Sequence, residues 1–170
     1  KMLNDMPQPT IARVQGAAFG GALGLISCCD IAVAATTASF ALSEVKIGLV
    51  PATISPYVIA AIGERYAKRY FMTAERFDGN TALQMSLVHE TVEEQQLDKK
   101  IEQLVTSILS NGPEAVVAAK QLISKVSGEV IDSTLIEHTC EVIAGIRVST
   151  QGQEGLSAFL GKRKPNWLKD

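Results

Sequence analysis

The sequence predicts an α/β fold: a parallel-type βαβ core followed by a helical C-terminal part. Three observations carry this. Ile31 to Ala34 is a continuous apolar run, as in a strand covered on both faces. A short β-branched segment and a glycine-rich apolar stretch precede it within 21 residues, the order of strand, turn and helix. Beyond residue 92 the apolar residues recur at helical spacing.

Taken in order, Thr10 to Val14 reads as the first strand. Gly16 to Cys29 is small and apolar, with Gly at 16, 20, 21 and 24, and reads as a tight turn followed by a buried helix from near Gly20. That stretch is 14 residues long and closed by Asp30, short of the roughly 20 that a membrane span needs. Ile31 to Ala34 and Ser39 to Leu42 follow as strands. Ser55 and Pro56 fit an N-cap and first-turn proline for a helix over Tyr57–Ile62. Asp78 is placed to cap a helix from Gly79 to Met85, and Leu87 to Val92 is a brief strand candidate. Leu97, Ile101, Leu104, Val105, Ile108 and Leu109 mark an amphipathic helix. Asn111-Gly112-Pro113 ends it and opens the next, to about Val126; Leu135, Thr139, Val142 and Ile146 mark a third, from about Asp132. We divide the chain into a βαβ core portion, 1–92, and a helical part, 93–170.

Composition excludes whole classes of function. The chain has 170 residues, enough to bury roughly 70% of its unfolded surface without staples. Hydrophobic residues are 46% and charged residues 20%, which excludes intrinsic disorder. Residues 1–60 hold three basic and three acidic side chains, so the first part is expected to be mostly interior. The net charge of −2 supplies no positive field for a nucleic-acid backbone. Three cysteines, two of them adjacent at Cys28 and Cys29, form neither a disulfide framework nor a zinc pair. They read as packing residues in a reducing compartment. The first 20 residues lack the order of a secretory signal, and a cytoplasmic location is expected. The chain opens on Lys1 rather than Met, as expected of a processed or shortened polypeptide.

The glycine turn is the first candidate site. Free N–H groups and a helix dipole face any negative charge placed at a helix start. Gly20-Gly21-Ala22-Leu23-Gly24 lacks the spacing of a dinucleotide fingerprint, and no Gly-Lys-Ser/Thr ending makes it a phosphate loop. One reading remains structural: small residues let a helix pack closely on a sheet. The other is an oxyanion site for a thioester, which uses backbone N–H groups alone. Such a site needs a general acid/base. Glu44 is the one acidic residue between Asp30 and Glu64, and it lies in the apolar stretch from Phe40 to Val50. Those surroundings are expected to raise a carboxylate's pKa toward neutrality. The competing reading is a Glu at a helix N-terminus with its head in solvent.

Other candidates carry less. His89 and His138 are 49 positions apart with no partner at ligand spacing, so no metal is expected. Ser43 has no nucleophile-elbow glycines around it. Lys162-Arg163-Lys164 is either a solvated tail or a contact for phosphates.

Thr10-Ile-Ala-Arg-Val-Gln-Gly16, Ala18-Phe-Gly-Gly-Ala22, Cys29-Asp30-Ile31, Phe40 through Glu44 to Gly48-Leu-Val-Pro51, Leu87-Val88, Glu154 to Phe159 and Lys162 to Pro165 occur in an order that resembles the crotonase (enoyl-CoA hydratase/isomerase) superfamily. The resemblance runs from about residue 7 to 168. Val50 to Val58, Ala61 to Arg65 and Arg69 to Glu75 look most like bacterial methylglutaconyl-CoA hydratases. The resemblance implies a crotonase-like core and a lyase that adds water to a 2-enoyl-CoA. An isomerase moving a double bond from Δ3 to Δ2, or a non-catalytic acyl-CoA-binding protein, are its alternatives. It implies that Gly21 donates its N–H to the thioester oxyanion, within a Gly20-to-Gly24 turn that lines the substrate. It makes Glu44 the proton carrier, and it sets the backbone of Ala52 beside the reacting water. Phe159 and Lys162 contact coenzyme A, often in a neighbouring subunit of a homotrimer or dimer of trimers. Asp30 takes a structural place. No cofactor is implied beyond the coenzyme A of the substrate. Lys46 or Arg65 would meet a distal carboxylate on the acyl group. Gly24 stands where the best-known hydratases of the family carry a second catalytic Glu. The matched region is the last two thirds of the fold, so the N-terminal third, with the second oxyanion donor, is expected to be missing.

Overall fold

The computed structural model describes residues 1–168. Its strands and helices are β1 (Ile11–Val14), β2 (Ala17–Phe19), α1 (Gly21–Cys28), β3 (Ile31–Ala35), β4 (Ser39–Ala41), α2 (Ser55–Thr73), β5 (Phe77–Asp78), α3 (Gly79–Gln84), β6 (Glu90–Val92), α4 (Leu97–Leu109), α5 (Pro113–Val126), α6 (Ser133–Val148) and α7 (Thr150–Leu160). Short 3-10 turns occupy Glu44–Ile47 and Glu94–Gln96. The chain falls into two compact units, Lys1–Gln103 and Leu104–Asp170.

In the first unit, β1, β3 and β6 form one parallel sheet, in the order β1-β3-β6. Ile11 pairs with Ile31, and Val33 with Glu90. The apolar run of β3 is central in this sheet, and Ala32 to Ala35 are buried. Asp30 sets the register of β1 against β3: its Oδ2 accepts from the Thr10 N–H at 2.7 Å and hydroxyl at 2.9 Å. That is the structural place expected for Asp30. His89 is tied to the same strand, its Nδ1 accepting from the Ala32 N–H at 3.0 Å.

The second sheet runs β2-β4-β5, with β2 parallel and β5 antiparallel to β4. β2 was not expected. Its three residues, Ala17–Phe19, sit in the stretch read as a turn, and too few side chains alternate there to signal a strand. Phe40 of β4 stacks on Phe77 with ring centroids 5.4 Å apart, and Tyr70 of α2 packs on Phe77 at 4.5 Å. With Leu23, Leu42, Val58 and Ile62 these rings fill the core.

Two helix boundaries differ from expectation. Ser55 is the first residue of α2 rather than its cap; its hydroxyl donates to the Ala52 carbonyl at 2.8 Å, and Ile54 takes the cap position. The helix also runs past Ile62 to Thr73, interrupted at Gly63, whose φ of 73° only glycine adopts freely. The strand predicted over 87–92 is confined to 90–92, because Leu87 N–H returns to the Ala82 carbonyl. Asp78 caps α3 as expected, accepting from Thr81 N–H at 2.8 Å.

The second unit is helical. α5 lacks a cap from its own preceding residue, and Gln151 of α7 supplies one: its Oε1 accepts from Glu114 N–H at 2.9 Å and Ala115 N–H at 3.3 Å. The tail is fastened to α7 by Arg163, whose guanidinium makes paired bonds to Glu154 at 2.7 and 2.8 Å. α7 itself was not expected, because Gly152 and Gly155 break up its apolar spacing.

Candidate active site

β4 and α1 build the site together. The Gly20 N–H donates to the Ala41 carbonyl at 2.9 Å, tying the glycine turn to the last residue of β4. Gly20 has φ 54° and ψ −121°, a conformation closed to side-chain-bearing residues. It sits at the cap position of α1, with no side-chain cap and no acidic residue in the first turn. Gly21 and Ala22 follow as the first two helical residues. Their N–H groups have no acceptor within the helix, and the positive end of the helix dipole adds to them.

Three residues after Ala41, the chain enters the 3-10 turn that Glu44 opens. Gly48, at φ 76°, closes this turn, and the Leu49 N–H returns to the Glu44 carbonyl at 3.1 Å. The backbone of Glu44 is thus fixed on both sides. Its carboxylate is laid against the glycine turn: a Cβ on Gly20 would stand 3.1 Å from Oε1 and 3.9 Å from Oε2. Oε2 is buried with no hydrogen-bond partner in the protein. An ionisable oxygen left buried and unpaired costs about 1–3 kcal/mol, and such groups cluster where function keeps them. Glu44 does stand at a helix start, as the competing reading had it, but its Oε2 is turned inward rather than into solvent.

Gly20, Gly21 and Glu44 are brought together. Gly24 is one turn further along α1 and buried, and its open side is filled by Ile54. A Cβ there would lie 2.7 Å from Ile54 Cβ and closer still to Ile54 Cγ2. Ala52 lies two residues before Ile54. Its N–H donates to the Val50 carbonyl at 2.8 Å, and its carbonyl accepts from Ser55. Lys46 is exposed on the Glu44 turn, and Arg65 is exposed on α2. Phe159 and Lys162 belong to the second unit, at the end of α7, where Phe159 is 81% exposed. Ile54 is the residue that sequence reasoning missed, since nothing in its local pattern announces a contact with residue 24.

Cys28 is buried, and burial pushes its thiol up, away from the reactive thiolate. Among the described residues no three His, Cys, Asp or Glu side chains gather as a metal site. None of the described helices is long and apolar enough to cross a membrane. An open cavity of about 580 Å³ lies elsewhere, between the 36–39 turn and residues 69–81; its Arg69 is already clamped on Glu75.

A helix start whose first N–H groups have no acceptor within the helix thus meets the half-buried Glu44 at Gly20. The chain belongs to the enoyl-CoA hydratase/isomerase family, whose model matches residues 1–170. It is 32% identical to the crotonyl-CoA hydratase of Syntrophomonas wolfei over 171 residues, covering 99% of this chain and 65% of that protein. It is 30% identical to the methylmalonyl-CoA decarboxylase of Escherichia coli, covering 99% and 65%. The crystal structure of an enoyl-CoA hydratase from Shewanella pealeana superimposes with a TM-score of 0.93 at 53% identity, covering 98% of this chain and 62% of that one. The crotonase-like fold is thereby shown. The chain spans somewhat under two thirds of the length of these relatives.

Proposed function

We propose that this chain carries the acid/base half of a site that adds water to a 2-enoyl-CoA thioester. The observation that supports this most is the Glu44 carboxylate, fixed against Gly20 with one oxygen buried and unpaired, beside the free N–H of Gly21. The thioester oxygen accepts from the Gly21 N–H, and the negative charge that develops there is met by the helix dipole. A water on the Glu44 side gives its proton to the carboxylate as its oxygen bonds to C3. A proton returns from Glu44 to C2, so one water is added in all. Ala52 flanks this water but cannot donate to it, since its N–H is given to the Val50 carbonyl; the Glu44 carboxylate accepts from the water and orients it. Phe159 and Lys162 offer an aromatic face and a cation to the coenzyme A of a neighbouring copy within a homotrimer or dimer of trimers. No cofactor takes part beyond the coenzyme A of the substrate. If the acyl group carries a distal carboxylate, as in 3-methylglutaconyl-CoA, Lys46 is the first candidate to meet it, because it shares the turn with Glu44. Incubation with crotonyl-CoA, followed by loss of the conjugated thioester absorbance, tests the reaction. Tight acyl-CoA binding without turnover would point to a binding protein.

One observation favours a second reading. Position 24 carries no carboxylate and Ile54 fills its place, so a single glutamate is present. One carboxylate suffices to move a proton between C4 and C2 of a 3-enoyl-CoA. A conjugated product formed from that substrate, without 3-hydroxyacyl product, would select the isomerase.

A further inference from the structure

We infer that Ile54 is a positioning residue: its side chain, seated in the notch left by Gly24, sets the spacing between the Glu44 carboxylate and the Gly21 N–H. The inference rests on the acid/base reading given under Proposed function.

Gly20 is the cap residue of α1, and Gly24 lies one turn into the helix. Each is occupied by one end of the same chain segment. Glu44 begins that segment and lies against Gly20; Ile54 ends it and fills the space beside Gly24. Between these ends the segment is held by short-range bonds, among them Leu49 N–H to Glu44 carbonyl at 3.1 Å, Ala52 N–H to Val50 carbonyl at 2.8 Å and Ser55 to the Ala52 carbonyl, and by Pro51, which is buried. Ile47, Leu49 and Val50 are exposed and anchor nothing within the described chain. Pro51 and Ile54 are thus the packed end: Pro51 is buried, and Ile54, half-buried, packs against the core cluster that holds Leu23 and Val58. A packed interior does not yield continuously, so a side chain added at Gly24 must drive α1 and the 44–54 segment apart. Gly21 rides on α1 and Glu44 on the segment, so their spacing changes with it. Reaction geometry is sensitive to displacements of this size.

The test is an exchange of sizes in the full chain: Gly24→Ala, Ile54→Gly, both together, and Ile54→Val. Gly is well accepted at a helix cap, the position Ile54 holds, and in the double variant the new Cβ lies 3.6 Å from the Cα of residue 54. Two signals are read. One is kcat and KM for crotonyl-CoA. The other is the ¹³C shift of the carbonyl in bound [1-¹³C]butyryl-CoA, which reports polarisation by Gly21 without turnover. Gly24→Ala is expected to lower kcat about tenfold or more, with KM changed less than about twofold, and to weaken the carbonyl shift. The double variant is expected to recover most of both signals, and Ile54→Val, which keeps Cβ and Cγ2, to retain them. Should Gly24→Ala fail to fold, Ile54→Gly against Ile54→Val decides: the first must lose kcat at constant KM and the second must not. An unchanged kcat and shift in Gly24→Ala, a double variant no better than Gly24→Ala, or equal losses in Ile54→Gly and Ile54→Val would each overturn the inference alone. An unaltered chain with neither turnover nor a carbonyl shift would remove the acid/base reading and this inference with it.

Discussion

Glu44 and Gly20 are in contact: a Cβ on Gly20 would stand 3.1 Å from Glu44 Oε1. The glycine is therefore required twice, once by its backbone conformation and once by the carboxylate beside it. Gly20→Ala should destabilise the chain by about 1–3 kcal/mol from the strained backbone alone. It should also displace Glu44, so activity should fall further than stability does. Thermal melting beside crotonyl-CoA turnover separates the two effects.

The cap of α3 gives a second prediction. Asp78 accepts from the Thr81 N–H, and this bond holds its carboxyl below the usual carboxylate range. Asp78→Ala should cost about 1 kcal/mol, and Asp78→Asn much less, because the amide oxygen still accepts. Denaturant midpoints of the three proteins check this.

The tail staple is pH-dependent with a definite sign. Arg163, and then the Asn166 N–H, hold the Glu154 carboxyl at about 2, below its ordinary 4.5. A lowered carboxyl pKa means that the unfolded chain binds more protons between those values. The contribution is then complete above pH 4.5 and is lost as the pH falls toward 2. Melting temperatures of the unaltered chain and Glu154→Gln should differ at pH 7, and the gap should narrow below pH 4.5. A gap that widens on acidification would contradict the assignment.

Much of this was legible in the sequence, for physical reasons that can be named. β3 was readable because a strand covered on both faces needs an unbroken apolar run, and 31–35 supplies one. α4 and α6 were readable because apolar residues recur along one face of each, and α5 because Asn111-Gly112-Pro113 opens it, although of the residues in these three helices only Leu97 is buried; Asp132 caps α6 as its side chain suggests. Glu44 stood out as the one acid in the apolar stretch from Phe40 to Val50, although Ile47, Leu49 and Val50 of that stretch are exposed. β2 and α7 were not readable, the first being three residues long and the second interrupted by glycines. The role of Ile54 was hidden altogether. It is made by a contact 30 positions away, and neither residue has a local signature.

The central claim is that Glu44 carries the proton, and one comparison tests it most directly: steady-state hydration of crotonyl-CoA by the unaltered chain and by Glu44→Gln, with butyryl-CoA affinity measured beside it. Glutamine keeps the size and loses the base. The account predicts a kcat lower by about a hundredfold or more, with affinity for the saturated thioester nearly unchanged. Full hydration activity in Glu44→Gln would contradict it.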